Sequence, residues 1–469
     1  MKRLISLTLA LLTSISAAFA KGDIDIHFSE GVDLMGVVFR LAGAKEFQCK
    51  NAPKYYESLD AYFASYKDHP ITEYVRECRK HASICYDAVS AYGQHLVIGE
   101  DGKIAFDNRE AKGSDTSFSR WPDDIAEEFL PKLEQFYKDT DFHTWYVSTE
   151  AFREKAIAAF RNCVDEIDFD WFDEYFYGNA IATEKAVVLS ILIGPNNFGN
   201  SMALQDGGEF LCPVIGSCHE DEDGNPHYED IAGIIVHEFC HHYCNPLDEK
   251  HWSLMKKGAA KAFKPMKTRL TESAYPSPGI MQNETFVRSS VIRYLLSHDP
   301  SADKDRLIVA EENLGFLLTR TEVDVLNEYE ASRDQYKDME AFMPRLGDAI
   351  NAFTTAKYQK LLKEVSADLA TYTCNIKDGS RKVPSGDFRI EITFSEPMEG
   401  DVSICYPDGD FDLPEVKDAS WSDDMKTLRL DVVNEPGKDY GFRIEGSGFT
   451  TKSGRYAVGE KEIHYYCKR

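Results

Sequence analysis

The hydrophobic period of this chain changes near residue 374, and that change limits the folds open to it. Before it, apolar residues recur at three- and four-residue steps. GVDLMGVVFRLAG, YYESLDAYFASYKDH and ITEYVRECRKHASICYDAV each lay a stripe along one helical face. The same spacing predicts helices around 124–138, 148–164, 282–297, 303–318 and 338–369. Two strands, AVVLSILIG (186–194) and EFLCPVI (209–215), interrupt the helices. CNIKDGSRKVPSGD (374–387) is rich in turn formers, and beyond it the period is two. Ile390, Ile392 and Phe394 alternate, as do Leu428, Leu430 and Val432, then Phe442 with Ile444 and Ile463 with Tyr465. Residues 21–373 therefore predict an α+β domain, mostly helical with a small sheet. Residues 374–386 predict a linker, and 387–469 an all-β sandwich.

The N-terminus predicts export. Lys2 and Arg3 precede a short apolar run, and Ala18-Phe19-Ala20 has the small-residue pattern of a cleavage site, so residues 1–20 predict a signal peptide. The run is too short to span a bilayer and nothing similar follows, so no membrane span is expected. The formal charge is −26, and losing Lys2 and Arg3 makes it −28. So acidic a surface repels phosphate backbones, which argues against nucleic-acid partners. Eleven cysteines in an exported chain allow disulfides; Cys212 with Cys218 and Cys405 with Cys467 are candidate pairs, and the odd count leaves one thiol over.

The chemistry concentrates in IIVHEFCHHYCNP (234–246). Asn225-Pro226 predicts the start of a helix and Asn245-Pro246 its end. On it His237 and His241 stack on one face, where two neutral imidazoles converge as a tetrahedral zinc ion requires. Glu238, rotated about 100° from His237, borders the metal without ligating it and can take a proton from bound water. Zinc lowers that water's pKa to about 7, which makes it the nucleophile.

A catalytic zinc site needs a third ligand and an open position. Asp248 follows His241 by seven residues but lacks the glycine turn that would bring it back. In GIMQNETFVRSSVIRYLL, Glu284 shares an apolar stripe with Val287, Val291 and Leu295, a costly place for a carboxylate unless a cation receives it. Arg288, one turn on, offers the competing reading of an internal ion pair, and Glu272 is the reserve ligand. His227, Tyr275 and His298 are candidate oxyanion donors.

HEFCH on one helix with a glutamate on a later one resembles the gluzincin clan of zinc metallopeptidases. VHEFCHHY and NETFVRS together, with DLMGVVFRLAG, also resemble an uncharacterised family of exported bacterial proteins over most of residues 25–370. The resemblance implies a zincin-like fold, one Zn2+ per chain held by His237, His241 and Glu284, and Glu238 as general base. It also implies a peptide or protein substrate, with Arg288 orienting Glu284 or meeting a substrate carboxylate. It further implies an edge strand past the metal for an extended peptide, a role for which GGEFLCPVIG (207–216) has the right place in chain order unless it is an interior strand. The step of 43 residues from His241 to Glu284 is longer than in better-known gluzincins. ITFSEPM, YGFRIEG and FTTKSGR resemble bacterial Ig-like domains at the ends of exported enzymes, implying a spacer or a contact with glycan or protein.

Two other readings stand beside the peptidase. His237, His241 and Cys244 share a helical face and could build a closed structural zinc site in a non-catalytic extracellular binding protein. A degenerate peptidase fold carrying an Ig-like head would bind without hydrolysis. Ser253-Leu-Met-Lys256 lacks companion motifs, and HEDEDGN and DGDFD lack the glycine placement of a calcium loop.

Overall fold

The computed structural model describes residues 24–468, apart from residues 108–119, 166, 179–183, 204–208, 230, 366–369, 401, 406, 408–410, 446–447 and 453–459. The expected signal peptide lies outside the described residues. The described residues are α+β and rich in helix, with a six-stranded sheet in the first half of the chain and two four-stranded sheets at the C-terminus. No described helix is long and apolar enough to cross a membrane.

The backbone divides into two compact units, one running to Pro246 and taking in Lys337–Glu340, the other comprising Leu247–Tyr336 and Ala341–Arg469. In the first, β1 (Asp25–Phe28) leads into α1 (Glu30–Leu41), α2 (Pro53–Tyr62), α3 (Pro70–His81) and α4 (Asp87–Gln94). A hairpin β2 (Leu96–Ile98) and β3 (Ile104–Phe106) precedes α5 (Asp123–Asp139), α6 (Phe142–Ser148), α7 (Glu150–Val164) and α8 (Asp170–Tyr177). Ser29 caps α1 by accepting from the Val32 amide, and the helix is buried from Gly31 to Phe39. It crosses α4 closely, because a Cβ on Gly31 would lie 2.4 Å from the Gly93 carbonyl oxygen.

The small sheet of this unit holds β4 (Glu184–Leu189) at its centre, with β5 (Asn197–Phe198), β6 (Ser201–Ala203), β7 (Glu209–Leu211) and β8 (Val214–Ile215) in the order β5-β8-β4-β7-β6. β1 pairs with β4 in parallel, Asp25 facing Ala186. The described part of the 207–216 segment, from Glu209 on, is therefore interior. β7 lies between β4 and β6, and β8 between β4 and β5. Leu211, Val214 and Ile215 are buried, as an apolar run paired on both sides should be. Among the described residues β5 and β6 end the strand order, and the polar NNFGNS sequence suits an edge. A second hairpin, β9 (His219–Glu220) and β10 (Pro226–His227), takes up the Asn225-Pro226 pair.

The histidine helix α9 spans Ala232–Glu272, so it begins seven residues after Asn225 and continues through Pro246. The expected stop fails because LDEKHWSLMKKGAAKAF is strong helix-forming sequence with its own buried stripe, Met255, Ala259, Ala262 and Phe263. That stripe outweighs the one backbone hydrogen bond Pro246 forgoes.

In the second unit, α10 (Pro278–His298), α11 (Lys304–Leu314) and α12 (Thr319–Ala331) pack together. The segment expected as one helix at 338–369 is two, α13 (Met339–Asn351) and α14 (Thr355–Val365). The remainder is β11 (Tyr372–Cys374), β12 (Ser380–Val383), β13 (Gly386–Phe394), β14 (Ile404–Cys405), β15 (Glu415–Trp421), β16 (Thr427–Asn434), β17 (Asp439–Glu445) and β18 (Glu460–Cys467). They form two four-stranded sheets, β11-β13-β16-β15 and β12-β18-β17-β14. Ile390, Ile392, Leu428 and Leu430 of one sheet share a core with Phe442, Ile444, Ile463 and Tyr465 of the other. β12 lies within the segment expected as a linker, and β11 begins before that segment and ends on its first residue. Neither candidate disulfide, Cys212 with Cys218 or Cys405 with Cys467, is formed.

Candidate metal centre

In the first unit, α9 is anchored from behind by α8. Phe239 packs on Phe169 and Phe172, with ring centroids 5.2 and 5.5 Å away. Tyr243 stacks on Phe176 at 4.9 Å and donates its hydroxyl to Asp173 at 2.6 Å. Burial, and after it the Asp173 contact, push the Tyr243 phenol up, so it remains a donor. These contacts set the rotation of the helix and turn His237 and His241 to its opposite, partly exposed side.

The two imidazoles meet through their Nε2 atoms, 3.1 Å apart, with rings at 82°. Two nitrogens on one tetrahedral zinc would lie about 3.4 Å apart, so the pair is close to a chelating geometry. His241 Nδ1 faces Asn245 Oδ1 at 3.3 Å. That contact favours the tautomer with hydrogen on Nδ1 and a lone pair on Nε2. Asn245 is read from sequence only as helix punctuation; its signal is the four-residue step from His241.

Glu238 is 8 % exposed. Gly199, between edge strands β5 and β6, lies directly against it. An added Cβ there would come within 2.6 Å of the Glu238 carbonyl oxygen, 2.9 Å of the His241 Cβ and 3.3 Å of Glu238 Oε2. The edge Asn197–Ala203 therefore runs past the turns of α9 that carry Glu238 and His241.

In the second unit, Glu284 sits on α10, whose N-terminus Ser277 caps by accepting from the Ile280 amide. Glu284 is 6 % exposed. Three donors reach its Oε1: Arg288 Nε at 2.8 Å, an Arg288 amino group at 2.7 Å and the Tyr275 hydroxyl at 3.3 Å. The other Arg288 amino group donates to Glu311 at 2.6 Å, and the guanidinium lies over the Phe316 ring. Burial opposes the Arg288 charge, but Glu311 and Glu284 overcome it and raise its pKa. Tyr275 is pushed up by burial and then by Glu284, so it too stays a donor.

His237, His241 and Glu284 each offer a ligand atom, and these three atoms lie within 4.8 Å of one another. Two neutral imidazoles and a carboxylate suit a divalent zinc-like ion. The Glu284–Arg288 ion pair is formed, and it leaves Glu284 within the three-residue group. Cys240 and Cys244 are fully buried, Cys244 does not join the group, and burial raises the Cys240 thiol well above its usual range. The side chain of Glu272 lies outside the described residues. Of the three oxyanion candidates, Tyr275 donates to Glu284, His227 faces Glu229 at 3.4 Å, and His298 stacks on Tyr294.

A family described as "Domain of unknown function (DUF4932)" matches residues 26–348. No curated protein matches the chain. Among solved structures, surface layer protein SbsC domains 1–6 matches at 16 % identity and a TM-score of 0.17, over 52 % of this chain and 34 % of that one. The N-terminal part of the bacterial S-layer protein SbsC matches at 16 % identity and 0.17, over 50 % of this chain and 58 % of that one. The chain thus spans less than two thirds of either, and likenesses this weak carry no argument.

Proposed function

The chain belongs to the DUF4932 family, and we propose that this member is an exported zinc-dependent peptidase with a zincin-like catalytic domain and a C-terminal Ig-like module. The observation that carries the reading is the convergence of His237, His241 and Glu284 ligand atoms beside Glu238.

In this reading the two Nε2 atoms and one Glu284 oxygen hold the ion, and Arg288 and Tyr275 fix the carboxylate that ligates it. Arg288 is a positioning residue; its guanidinium is occupied by Glu284 and Glu311, which argues against a role on a substrate carboxylate. A bound zinc ion supplies Lewis acidity, lowering the pKa of a water towards about 7 and polarising a carbonyl. Glu238 takes the proton from the attacking water as its oxygen bonds the scissile carbon. It then returns that proton to the leaving amine as the C–N bond breaks. An extended peptide would pair its main chain with the Asn197–Ala203 edge, beside Glu238, which accounts for binding with little sequence demand. The two C-terminal sheets with their common core supply a separate module, suited to spacing or to contact with protein or glycan.

The test is Glu238→Gln assayed on a denatured-protein substrate with zinc supplied. The variant should bind zinc like wild type and lose hydrolysis by about 10²-fold or more. Full activity in the variant would remove Glu238 from the chemistry.

A further inference from the structure

A cavity of about 310 Å³ opens in the second unit between α9 and the first turns of α10, a volume within the small-ligand range. Asp248, Glu249 and Trp252 line it from α9, and Ile280 and Asn283 from α10. Asp248 and Trp252 are four residues apart and so share a helical face.

Asp248 is the unusual member. It is wholly buried, and its Oδ1 has no hydrogen-bond partner. Its Oδ2 accepts from the Asn283 amide nitrogen at 2.7 Å, with the carboxamide turned that way. Gln282, beside it, gives its amide nitrogen to Glu322 at 2.7 Å. Burial, and then the charges of Glu322 and Glu249, hold the Asp248 carboxyl well above the usual carboxylate range. The charged groups acting on it there are carboxylates, none of them basic. Such an acid stays protonated while the cavity is empty, and a cation seated against its unused Oδ1 would favour the ionised form.

We infer that this cavity binds the primary ammonium or guanidinium group of a lysine or arginine side chain, with Asp248 at its floor, Glu249 at its rim and Trp252 as its aromatic wall. The Trp252 ring adds a cation–π contact, and Ile280, 46 % exposed, covers the aliphatic stem. Entry requires the Asn283 carboxamide to swing off Asp248. The N-terminus of α10 carries partial positive charge, which opposes a cation, but its contribution is weakened. Pro278 has no N–H, and the Ile280 and Met281 amides are satisfied by Ser277. Exposed Glu249, joined by Asp248 once a cation ionises it, outweighs the remainder, and the net charge of −26 draws cations to the molecule. The inference does not depend on the peptidase reading, because no metal ligand takes part.

The experiment titrates the full mature chain, with a chelator present, with Nα-acetyl-lysine amide and with its uncharged isostere Nα-acetyl-norleucine amide, followed by saturation-transfer NMR. The lysine probe should bind at least about tenfold more tightly. Asp248→Asn should erase that preference, and Trp252→Leu and the exposed Glu249→Gln should each weaken the lysine probe about threefold or more. The last two keep the test decisive if Asp248→Asn fails to fold. Equal binding of both probes, no saturable binding of the lysine probe at millimolar concentration, or wild-type binding by Glu249→Gln and Trp252→Leu together would overturn the inference. Loss of hydrolysis in Glu238→Gln leaves this binding unchanged, so the two readings fail separately.

Discussion

Replacing Gly199 by alanine adds a single methyl group at the point where the β5–β6 edge meets the histidine helix. The new Cβ would stand 2.6 Å from the Glu238 carbonyl oxygen and 2.9 Å from the His241 Cβ. Ordinary contact begins near 3.4 Å, so the edge or the helix must move by about 0.8 Å, and neither obstacle is the flexible end of a side chain. Overpacking of this kind costs about 1–3 kcal/mol. For a unit of this size that corresponds to a fall in Tm of about 2–12 °C in a calorimetric scan. Zinc affinity, measured by competition with a chromogenic chelator, should fall about tenfold, because His241 is carried by the turn that moves. Gly279→Ala is the control. Its nearest obstacle is Trp252 at 3.9 Å, and it lies in the first turn of α10, where alanine costs nothing. Wild-type Tm and zinc affinity in Gly199→Ala would refute the close approach of edge and helix.

Two further outcomes follow from contacts within the first unit. Asn245→Ala should weaken zinc binding about 10- to 100-fold with little change in Tm, since it removes the group that orients His241 and nothing in the core; unchanged affinity would discard that role. Asp33 is buried, accepts from Ser190 at 3.1 Å, and is raised from 3.8 to about 7, first by desolvation and against the pull of Arg153. Because its folded pKa is the higher one, its contribution is fully present below about pH 4 and is lost as pH rises to about 7, by up to about 4 kcal/mol. Asp33→Asn should flatten denaturant stability between those pH values; an equal slope in the variant would contradict the assignment.

Periodicity revealed most helices and the change to strand, because a buried stripe repeats whatever its partner. It located α10 and the β13 and β16 strands well, and it missed α12, whose VDVLNEY stripe went unread among acidic residues. It also ended the histidine helix at Pro246, because local punctuation says nothing of the packing that carries α9 onward. His237, Glu238, His241 and Glu284 were legible because the spacing and the burial of a carboxylate are local facts. Gly199 was not, since only the fold brings β5 and β6 against α9. Nor was the edge itself: 207–216 had the apolar look of a strand, and that same apolarity puts it in the interior.

The central claim is that His237, His241 and Glu284 form one zinc site. Its most direct test is zinc content by mass spectrometry on the purified mature chain beside Glu284→Ala, both supplied with zinc. One zinc per chain in the wild type, lost or much weakened in the variant, is the expected result. Equal zinc in both would move the third ligand elsewhere, Cys244 first, and no zinc in either would contradict the account.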